Sequence, residues 1–265
     1  MGENHMNRLT TCAAAAAVAL GSLSIAAPTH AAPAKAQTYT VTAKANLSEA
    51  VAKEDVVKVR GRVTPKAAGE KVVLQQRVGN KKKWTVTGNA KVKRNGTYLL
   101  TDKPSTPGPR EYRVLKPGSR GIAKGFSKPV EVQVYRWEKL VSRTAGPRVN
   151  LDSTGVLIGA EYFGQSLATS VAGTPSSVEY TLGRKCTEMR ATYALTDSSA
   201  TGSSGAINVT GDGKVLASHA LSVGTVVADE VLDLTDVFRL KLDLTTSETP
   251  AAVAAVATPE VLCTR

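Results

Sequence analysis

Residues 238–244 read FRLKLDL, so that apolar and charged side chains alternate along the segment. Successive side chains of a β-strand point to opposite faces, and this period of two therefore predicts a strand with one buried and one solvated face. Before it, residues 189–195 alternate in the same way, and residues 206–209 and 214–217 flank the tight turn Gly211-Asp212-Gly213. No long helical period interrupts these segments. The second half of the chain is therefore predicted to consist of paired strands.

The first half shows the same kind of pattern in shorter segments. Apolar and basic residues alternate over residues 56–63, and further strand-like segments cover residues 71–77, 110–115 and 130–135. Asn95-Gly96 joins two such segments and predicts a β-hairpin, because both residues tolerate positive φ. Many short strands separated by turns are typical of antiparallel sandwiches. We therefore predict an all-β fold made of two antiparallel β-sandwiches.

Charge divides the chain of 265 residues into two unlike parts. The net charge is +12; residues 37–137 hold 22 Lys and Arg against 7 Asp and Glu, a balance of +15, whereas residues 138–265 hold 10 against 14, a balance of −4. Such asymmetry between the halves of a chain indicates separate domains. We predict a basic sandwich over residues 37–137, a linker over 138–150, and a second sandwich over 151–265.

The amino terminus has the organisation of a signal peptide. Arg8 precedes a stretch of small apolar residues over 12–27, and Ala31 and Ala36 offer cleavage positions. The stretch is shorter than the roughly 20 apolar residues that cross a bilayer, and an uncleaved anchor is the alternative interpretation. Cys12 stands at the start of the stretch rather than at its end, which argues against a lipid anchor. Residues 1–36 are therefore predicted to be a signal peptide with a short linker, and the mature protein to be extracellular, free or associated with the cell wall.

Loss of the signal peptide would leave two cysteines, Cys186 and Cys263, 77 positions apart. In the oxidising compartment of an exported protein, such a pair suits a disulfide that closes a long loop. The chain-entropy model gives such a crosslink about 4 kcal/mol of stability. The alternative is a nucleophile pair of Cys186 with His219, which is the one histidine beyond the predicted signal peptide.

The sequence contains none of the common enzyme motifs. It has no nucleophile elbow, phosphate-binding loop, His-Glu-x-x-His or Cys-x-x-Cys. A carboxylate pair for glycoside hydrolysis has no local sequence signature. Small sandwiches without an aromatic-lined cleft are rarely glycosidases, however, and Trp84 and Trp137 are the only tryptophans that could line one. We therefore predict a protein that is not an enzyme, with no catalytic residues, no catalytic metal and no cofactor. A structural Ca²⁺ is compatible with sandwich loops, although no spaced acidic loop in the sequence requires one.

The excess of basic residues over 37–137 has three interpretations. Clustered Lys and Arg neutralise phosphates, which would favour a nucleic acid as partner. The alternation of basic residues along strands, the few aromatic residues and the predicted export argue against that partner. The second interpretation is attraction to an anionic cell-wall polymer or an acidic polysaccharide, and the third is an ordinary solvated face.

Residues 38–135 resemble the Ig-like domains of secreted actinobacterial proteins. The resemblance depends on the order of VRGRV at 59–63, GEKVVLQQR at 69–77, Trp84, NGTY at 95–98 and PGPREYRV at 107–114. Domains of this kind are commonly spacers or adhesion modules. The resemblance therefore implies an Ig-like sandwich more than a particular ligand.

Residues 150–265 resemble the NPCBM family of carbohydrate-binding modules, which occur beside glycoside hydrolase domains. The matching segments are residues 177–182, TYALTD at 192–197, the hairpin INV-x-GDGKVL at 207–216, and the final strands LDL at 232–234 and FRLKL at 238–242. The resemblance implies a galactose-binding-like jelly-roll sandwich that recognises glycans without catalysis.

The carboxyl-terminal stretch departs from the family pattern. The family usually has an approach to a Trp that is rich in Asp and His, whereas residues 249–259 contain no aromatic residue, acid or His. Contacts to a glycan are therefore expected from other loops. The candidates are Tyr162 and Tyr180 as stacking faces and Asp197, Asp212 and His219 as hydrogen-bonding groups. Their alternative roles are buried tyrosines for the first two, turn residues for the two Asp, and a solvent-facing strand residue for His219.

Together these features predict a secreted, non-catalytic binding protein. Its expected partner is a cell-wall or extracellular polysaccharide, recognised through the second sandwich. The first alternative is a structural or adhesion protein whose sandwiches act as spacers or bind a protein or an anionic wall polymer. The second is an enzyme of unknown type, which would need a cleft that holds two opposed carboxylates.

Overall fold

The computed structural model describes residues 37–264, of which nearly all regular structure is β. The predicted signal peptide and its cleavage positions lie outside the described residues. One turn of 3-10 helix at Leu140–Ser142 is the exception within the described part. The strands in chain order are β1 (Thr40–Val41), β2 (Lys44–Ala45), β3 (Glu49–Val51), β4 (Val57–Thr64), β5 (Lys71–Val78), β6 (Thr85–Lys91), β7 (Thr97–Asp102), β8 (Gly108–Lys116), β9 (Gly125–Phe126), β10 (Val130–Lys139), β11 (Arg148–Val149), β12 (Leu151–Ile158), β13 (Glu161–Thr169), β14 (Ser176–Thr181), β15 (Cys186–Leu195), β16 (Ser204–Gly211), β17 (Lys214–Ser222), β18 (Val226–Asp233), β19 (Arg239–Thr246) and β20 (Ala254–Cys263).

The first sandwich packs two sheets around a core formed by residues 39–134. In one sheet β4 pairs with β1, β2 and β7; the other runs β6-β5-β8-β10, with β9 on β8 and β3 parallel to β10. The predicted alternation over residues 56–63 is confirmed, since Val57 and Val59 are fully buried while Lys58 and Arg60 are exposed. The basic side chains of this strand therefore form its solvated face.

A lysine is buried inside this sandwich. The Lys116 side chain is 2% exposed, and its Nζ lies 2.6 Å from a carboxylate oxygen of Glu70 and 4.2 Å from the Tyr39 ring centroid. Lys116 also donates hydrogen bonds to the Pro117 carbonyl and the Ser119 hydroxyl. The hydrogen bonds from Lys116 and Ser119 hold the pKa of Glu70 below its ordinary value.

The predicted hairpin at Asn95-Gly96 is wrong in its strand pairing. The turn itself forms, with Gly96 at a φ of +82° and its N–H donating to the Lys93 carbonyl at 2.9 Å. However, β6 pairs with β5, whereas β7 pairs with β4 in the opposite sheet and buries Tyr98 and Leu100 in the core between them. The chain therefore crosses between sheets here, because a turn fixes where the chain reverses and core packing fixes its neighbours.

The second sandwich packs the sheet β12-β13-β20-β15-β18 against the sheet β11-β14-β19-β16-β17. Leu240, Leu242 and Leu244 of β19 point into the core between these sheets, which confirms the strand predicted from FRLKLDL. The predicted hairpin of β16 and β17 is also confirmed, with Asp212 and Gly213 at φ angles of 49° and 83°.

Strand β10 belongs to both sandwiches. Its residues 130–134 pair with β8, and its last residues, 136–139, pair with residues 260–263 of β20. The Arg190 guanidinium lies 4.1 Å from the Trp137 ring centroid, and Leu140 is fully buried in the second core. Residues 138–150, predicted as a linker, thus contain the end of β10, the 3-10 turn and β11. All described residues fall within one compact unit that has two separate main cores.

Residues 37–264 contain no helix with the length and apolar character that a membrane span requires.

Candidate functional site

An open cleft with a volume of about 1050 Å³ lies in the second sandwich, along the hairpin of β12 and β13. One wall is this hairpin, and the other is formed by the residues that follow β15 and precede β20. The lining residues are Arg148, Asp152, Ser153, Thr154, Gly155, Val156, Leu157, Tyr162, Ala168, Thr169, Thr196, Asp197, Ser198 and Val253.

Two glycines lie close to the aromatic ring of Tyr162 in this cleft. The Tyr162 ring lies against Gly155 so closely that a Cβ atom at position 155 would lie 2.6 Å from Cζ and 2.7 Å from Cε2 of the ring. A Cβ atom at Gly164 would lie 3.6 Å from Cε1 of the same ring. Tyr162 is nevertheless 69% exposed, so that the ring rests on glycine backbone and presents the rest of its surface to solvent.

The hairpin bends where the ring rests. The pairing of β12 with β13 shifts register between Thr154 and Val156, because Gly164 and Gln165 of β13 together oppose Gly155; β13 therefore has a β-bulge opposite Gly155. Bulges bend strands and turn side chains towards new directions, and they are common next to binding sites. The local sequence thus supplies both the bend and the space that Tyr162 occupies.

Charged groups of both signs line the same cleft as the ring. The Asp152 carboxylate accepts a hydrogen bond from the Ser170 hydroxyl at 2.6 Å, which leaves its other oxygen available. Arg148 is exposed and lines the same cleft. Binding pockets for small polar ligands typically combine an apolar surface with a few oriented donors and acceptors, and this cleft has both.

The tip of the hairpin is fixed by Asp197. Its carboxylate accepts hydrogen bonds from the backbone N–H groups of Gly159 at 2.7 Å and Ala160 at 2.8 Å. The N–H of Asp197 also donates to the Leu157 carbonyl at 2.9 Å. Asp197 therefore joins the two walls of the cleft at its rim.

Small residues beneath the hairpin allow it to lie close to the sheet. Val156 and Ile158 of β12 form a small separate core cluster with the fully buried Ala194, Ala255 and Ala257 of β15 and β20. The later part of the alanine-rich stretch at 249–259, from Ala254 onwards, thus belongs to the buried strand β20, which supports the cleft.

The structure brings two of the five predicted binding residues together. Tyr162 and Asp197 line the cleft, whereas Tyr180, Asp212 and His219 lie elsewhere. Tyr180 is 1% exposed in the core, so its ring offers no stacking face to solvent. Burial raises the pKa of the Tyr180 hydroxyl, and the nearby Arg148 offsets part of this effect.

Asp212 holds the turn between β16 and β17 to the start of β19. Its two carboxylate oxygens accept hydrogen bonds from the N–H groups of Phe238 at 2.9 Å and Arg239 at 2.8 Å. These backbone donors lower the pKa of Asp212 below its ordinary value. The contacts are those of a turn residue, which was the alternative role for this position.

His219 lies on β17 and faces β18 and β15. Its Nε2 is 2.8 Å from a Glu230 carboxylate oxygen, and its ring centroid is 5.1 Å from that of Tyr193. Burial raises the pKa of the Tyr193 hydroxyl, and Glu230 adds to the effect. His219 is therefore packed between a carboxylate and a buried ring and is only 18% exposed.

The two cysteines are joined to each other. Cys186 of β15 and Cys263 of β20 form a disulfide across neighbouring strands, which confirms the predicted pair. A Cys186–His219 nucleophile pair is thereby excluded in this oxidised form.

Sequence reasoning missed Asp152 and Gly155, because β12 has no clear period of buried and exposed residues. It also missed Arg148, which lies on the two-residue strand β11. One available signal was the presence of Gly155, Gly159 and Gly164 close to Tyr162 in the sequence. Within the described range, no group of three or more His, Cys, Asp and Glu side chains could hold a metal ion.

The second sandwich thus has the form of a β-sandwich module with a surface cleft. The family model of the NPCBM/NEW2 domain matches residues 158–254, which confirms for these residues the resemblance found in the sequence. This is a family of carbohydrate-binding domains. The matched range includes Tyr162 and Asp197 and ends at the first residue of β20. Among curated proteins, none matches the chain.

Proposed function

We propose that the protein is a secreted, non-catalytic binding protein that recognises a cell-wall or extracellular polysaccharide through the β12–β13 cleft. The observation that carries the proposal is the Tyr162 ring, held on Gly155 and exposed within a cleft of the domain that matches a carbohydrate-binding family. Sugar rings have apolar C–H faces edged by hydroxyl groups. An exposed aromatic ring with a nearby carboxylate and guanidinium suits both features of such a ligand.

The charges of the cleft favour a neutral or weakly charged sugar. Asp152 and Arg148 have opposite charges, and the Asp197 carboxylate already accepts two backbone hydrogen bonds. Hydroxyl groups can donate to Asp152 and accept from Arg148 without leaving a buried charge unpaired. A strongly anionic sugar would instead have two carboxylates close by.

The test is retention of the protein on insoluble cell-wall, plant and fungal polysaccharides. Tyr162→Ala should weaken binding about thirtyfold, since removing a central aromatic contact costs about 2 kcal/mol. Phe238→Ala is the matched control, because Phe238 is a 41% exposed aromatic residue of the same sandwich outside the cleft. Equal binding by both variants would overturn the cleft assignment, as would failure of the unaltered protein to bind any polysaccharide.

A structural or adhesion role is the second candidate. It is favoured by β10, which pairs with strands of both sandwiches and leaves no free linker between them. A protein of this kind would act as a stiff spacer. It would bind no polysaccharide, and Tyr162→Ala would leave its attachment to cells unchanged.

We further propose that the first sandwich is Ig-like and that the protein needs no cofactor. A structural Ca²⁺ remains a prediction that thermal unfolding in EDTA and in CaCl₂ would test. An unchanged midpoint supports a fold that is independent of the ion.

A further inference from the structure

A ladder of alternating cations and aromatic rings crosses the outer face of the first sandwich. It consists of Arg77, Trp84, Arg113, Phe126 and Lys124, and we call it the cation ladder. The Arg77 and Arg113 guanidinium carbons lie 4.8 and 4.3 Å from the Trp84 ring centroid. Arg113 lies 4.4 Å and the Lys124 ammonium 6.0 Å from the Phe126 centroid. These contacts hold three positive charges in fixed positions on one face.

Arg113 is the arginine of the ladder that has no carboxylate partner among the described residues. Arg77 forms a bidentate ion pair with Glu111, whereas within residues 37–264 Arg113 forms no ion pair and donates only its Nε–H, to Gln75 Oε1 at 2.9 Å. Its terminal Nη groups therefore keep their donors for an external acceptor. Partial burial and the charge of Arg77 lower the pKa of Arg113.

The geometry of the ladder selects among anionic partners. The guanidinium groups of Arg77 and Arg113 both lie over the Trp84 ring. The guanidinium of Arg113 and the ammonium of Lys124 both lie over the Phe126 ring. Single-stranded nucleic acids bind by stacking bases on free aromatic faces, whereas two cations lie within 6.0 Å of each ring centroid of this ladder. The two terminal nitrogens of a guanidinium match the two oxygens of a planar carboxylate.

We propose that the cation ladder is a binding site for an acidic polysaccharide, in which Arg113 receives the carboxylate of a uronate sugar. The net charge of +15 on residues 37–137 would attract such a polymer over a longer range. This inference rests on the proposed function in one respect, namely that the ligand which bears the carboxylate is a glycan. The site itself is separate from the β12–β13 cleft.

The test compares binding of the full protein to polygalacturonate and to its fully methyl-esterified, uncharged form. We expect binding to the acidic form only, with affinity that falls as salt is raised. Arg113→Gln should weaken it about tenfold, as expected for loss of a charged hydrogen-bonding partner. Arg60→Gln is the matched control, because it makes the same change on an exposed face of the opposite sheet.

Thermal unfolding of each variant shows whether the ladder still folds. If Arg113→Gln is unfolded at the assay temperature, the Arg113→Lys variant is measured in its place. Lysine keeps the positive charge but lacks the planar pair of guanidinium donors, so binding should be about threefold weaker. Equal losses for Arg113→Gln and Arg60→Gln would overturn the proposal in favour of general charge attraction. Equal binding of the esterified polymer would also overturn it, and so would tighter binding of inorganic polyphosphate that depends on Arg113.

Tyr162→Ala, measured in the same assay, separates the two sites. It should leave the salt-sensitive binding to polygalacturonate within about twofold, because Tyr162 lies in the other sandwich. Loss of binding in Tyr162→Ala but not in Arg113→Gln would support the cleft and overturn the ladder site.

Discussion

Replacing Gly155 by alanine would move the Tyr162 ring without removing it. The new Cβ atom would come closest to the Tyr162 hydroxyl oxygen and would lie 2.6 Å from Cζ. Ordinary contact begins near 3.4 Å, so Cζ must shift by about 0.8 Å and the hydroxyl end of the ring by more. Tyr162 is 69% exposed and can turn into solvent. The free energy of unfolding should therefore change by no more than about 0.5 kcal/mol, as for other surface substitutions.

Binding should respond much more strongly than stability. If the position of the ring matters, Gly155→Ala should lose most of the affinity that Tyr162→Ala loses, which is about thirtyfold. Gly164→Ala is the control, because its Cβ atom would lie at an ordinary 3.6 Å from the ring. Neither glycine has a positive φ, so alanine fits both backbones.

The assay is titration of each variant with a soluble fragment of whichever polysaccharide retains the unaltered protein, alongside denaturant unfolding. Unchanged affinity of Gly155→Ala, together with a large loss in Tyr162→Ala, would refute the argument that Gly155 positions the ring. Equal losses in the Gly155→Ala and Gly164→Ala variants would show a general effect on the hairpin instead.

Three further predictions concern the contacts that hold the fold. The pKa of Glu70 is lower in the folded state than in the unfolded state, so Glu70 contributes stability above its unfolded pKa near 4.5, and this stability is lost as pH falls through the folded pKa. Glu70→Gln should therefore lower the free energy of unfolding by about 2 kcal/mol at pH 7 and flatten the acid limb of a pH–stability profile. An unchanged acid limb would contradict this prediction. The Cys186→Ala, Cys263→Ala double variant should lose about 4 kcal/mol in denaturant unfolding, and a loss below about 1 kcal/mol would show that the crosslink adds little to strands that already pair. Asp197→Ala should cost about 1 kcal/mol and raise hydrogen exchange at the Gly159 amide, whereas unchanged exchange there would mean that the carboxylate does not hold the hairpin tip.

The alternation of side chains made the strands of the fold predictable where one face is solvated. β4 and β19 were predicted in this way, because their buried and exposed residues alternate along the sequence. β20 was not, since one of its faces packs in the main core and the other packs under the β12–β13 hairpin. A strand buried on both faces has no polar period, and its alanine-rich sequence then resembles a linker.

The candidate site was predictable only in part for a related reason. Tyr162 and Asp197 were named from residue type, but so were three residues that lie outside the cleft. Residue type indicates what a side chain can do, whereas burial and direction decide whether it can do so. Tyr180 has the same chemistry as Tyr162 and is almost fully buried.

The sequence by itself determined the all-β class, the division of charge between the halves, the match of residues 158–254 to the NPCBM/NEW2 family model, and the pairing of the two cysteines beyond the predicted signal peptide. These properties follow from composition, local period and short motifs. Only the tertiary structure decided that β10 serves both sandwiches, that Gly155 supports Tyr162, and that Arg113 stands between two aromatic rings. Each of these depends on strand register and on contacts between residues distant in sequence, which are set by how the sheets pack as a whole.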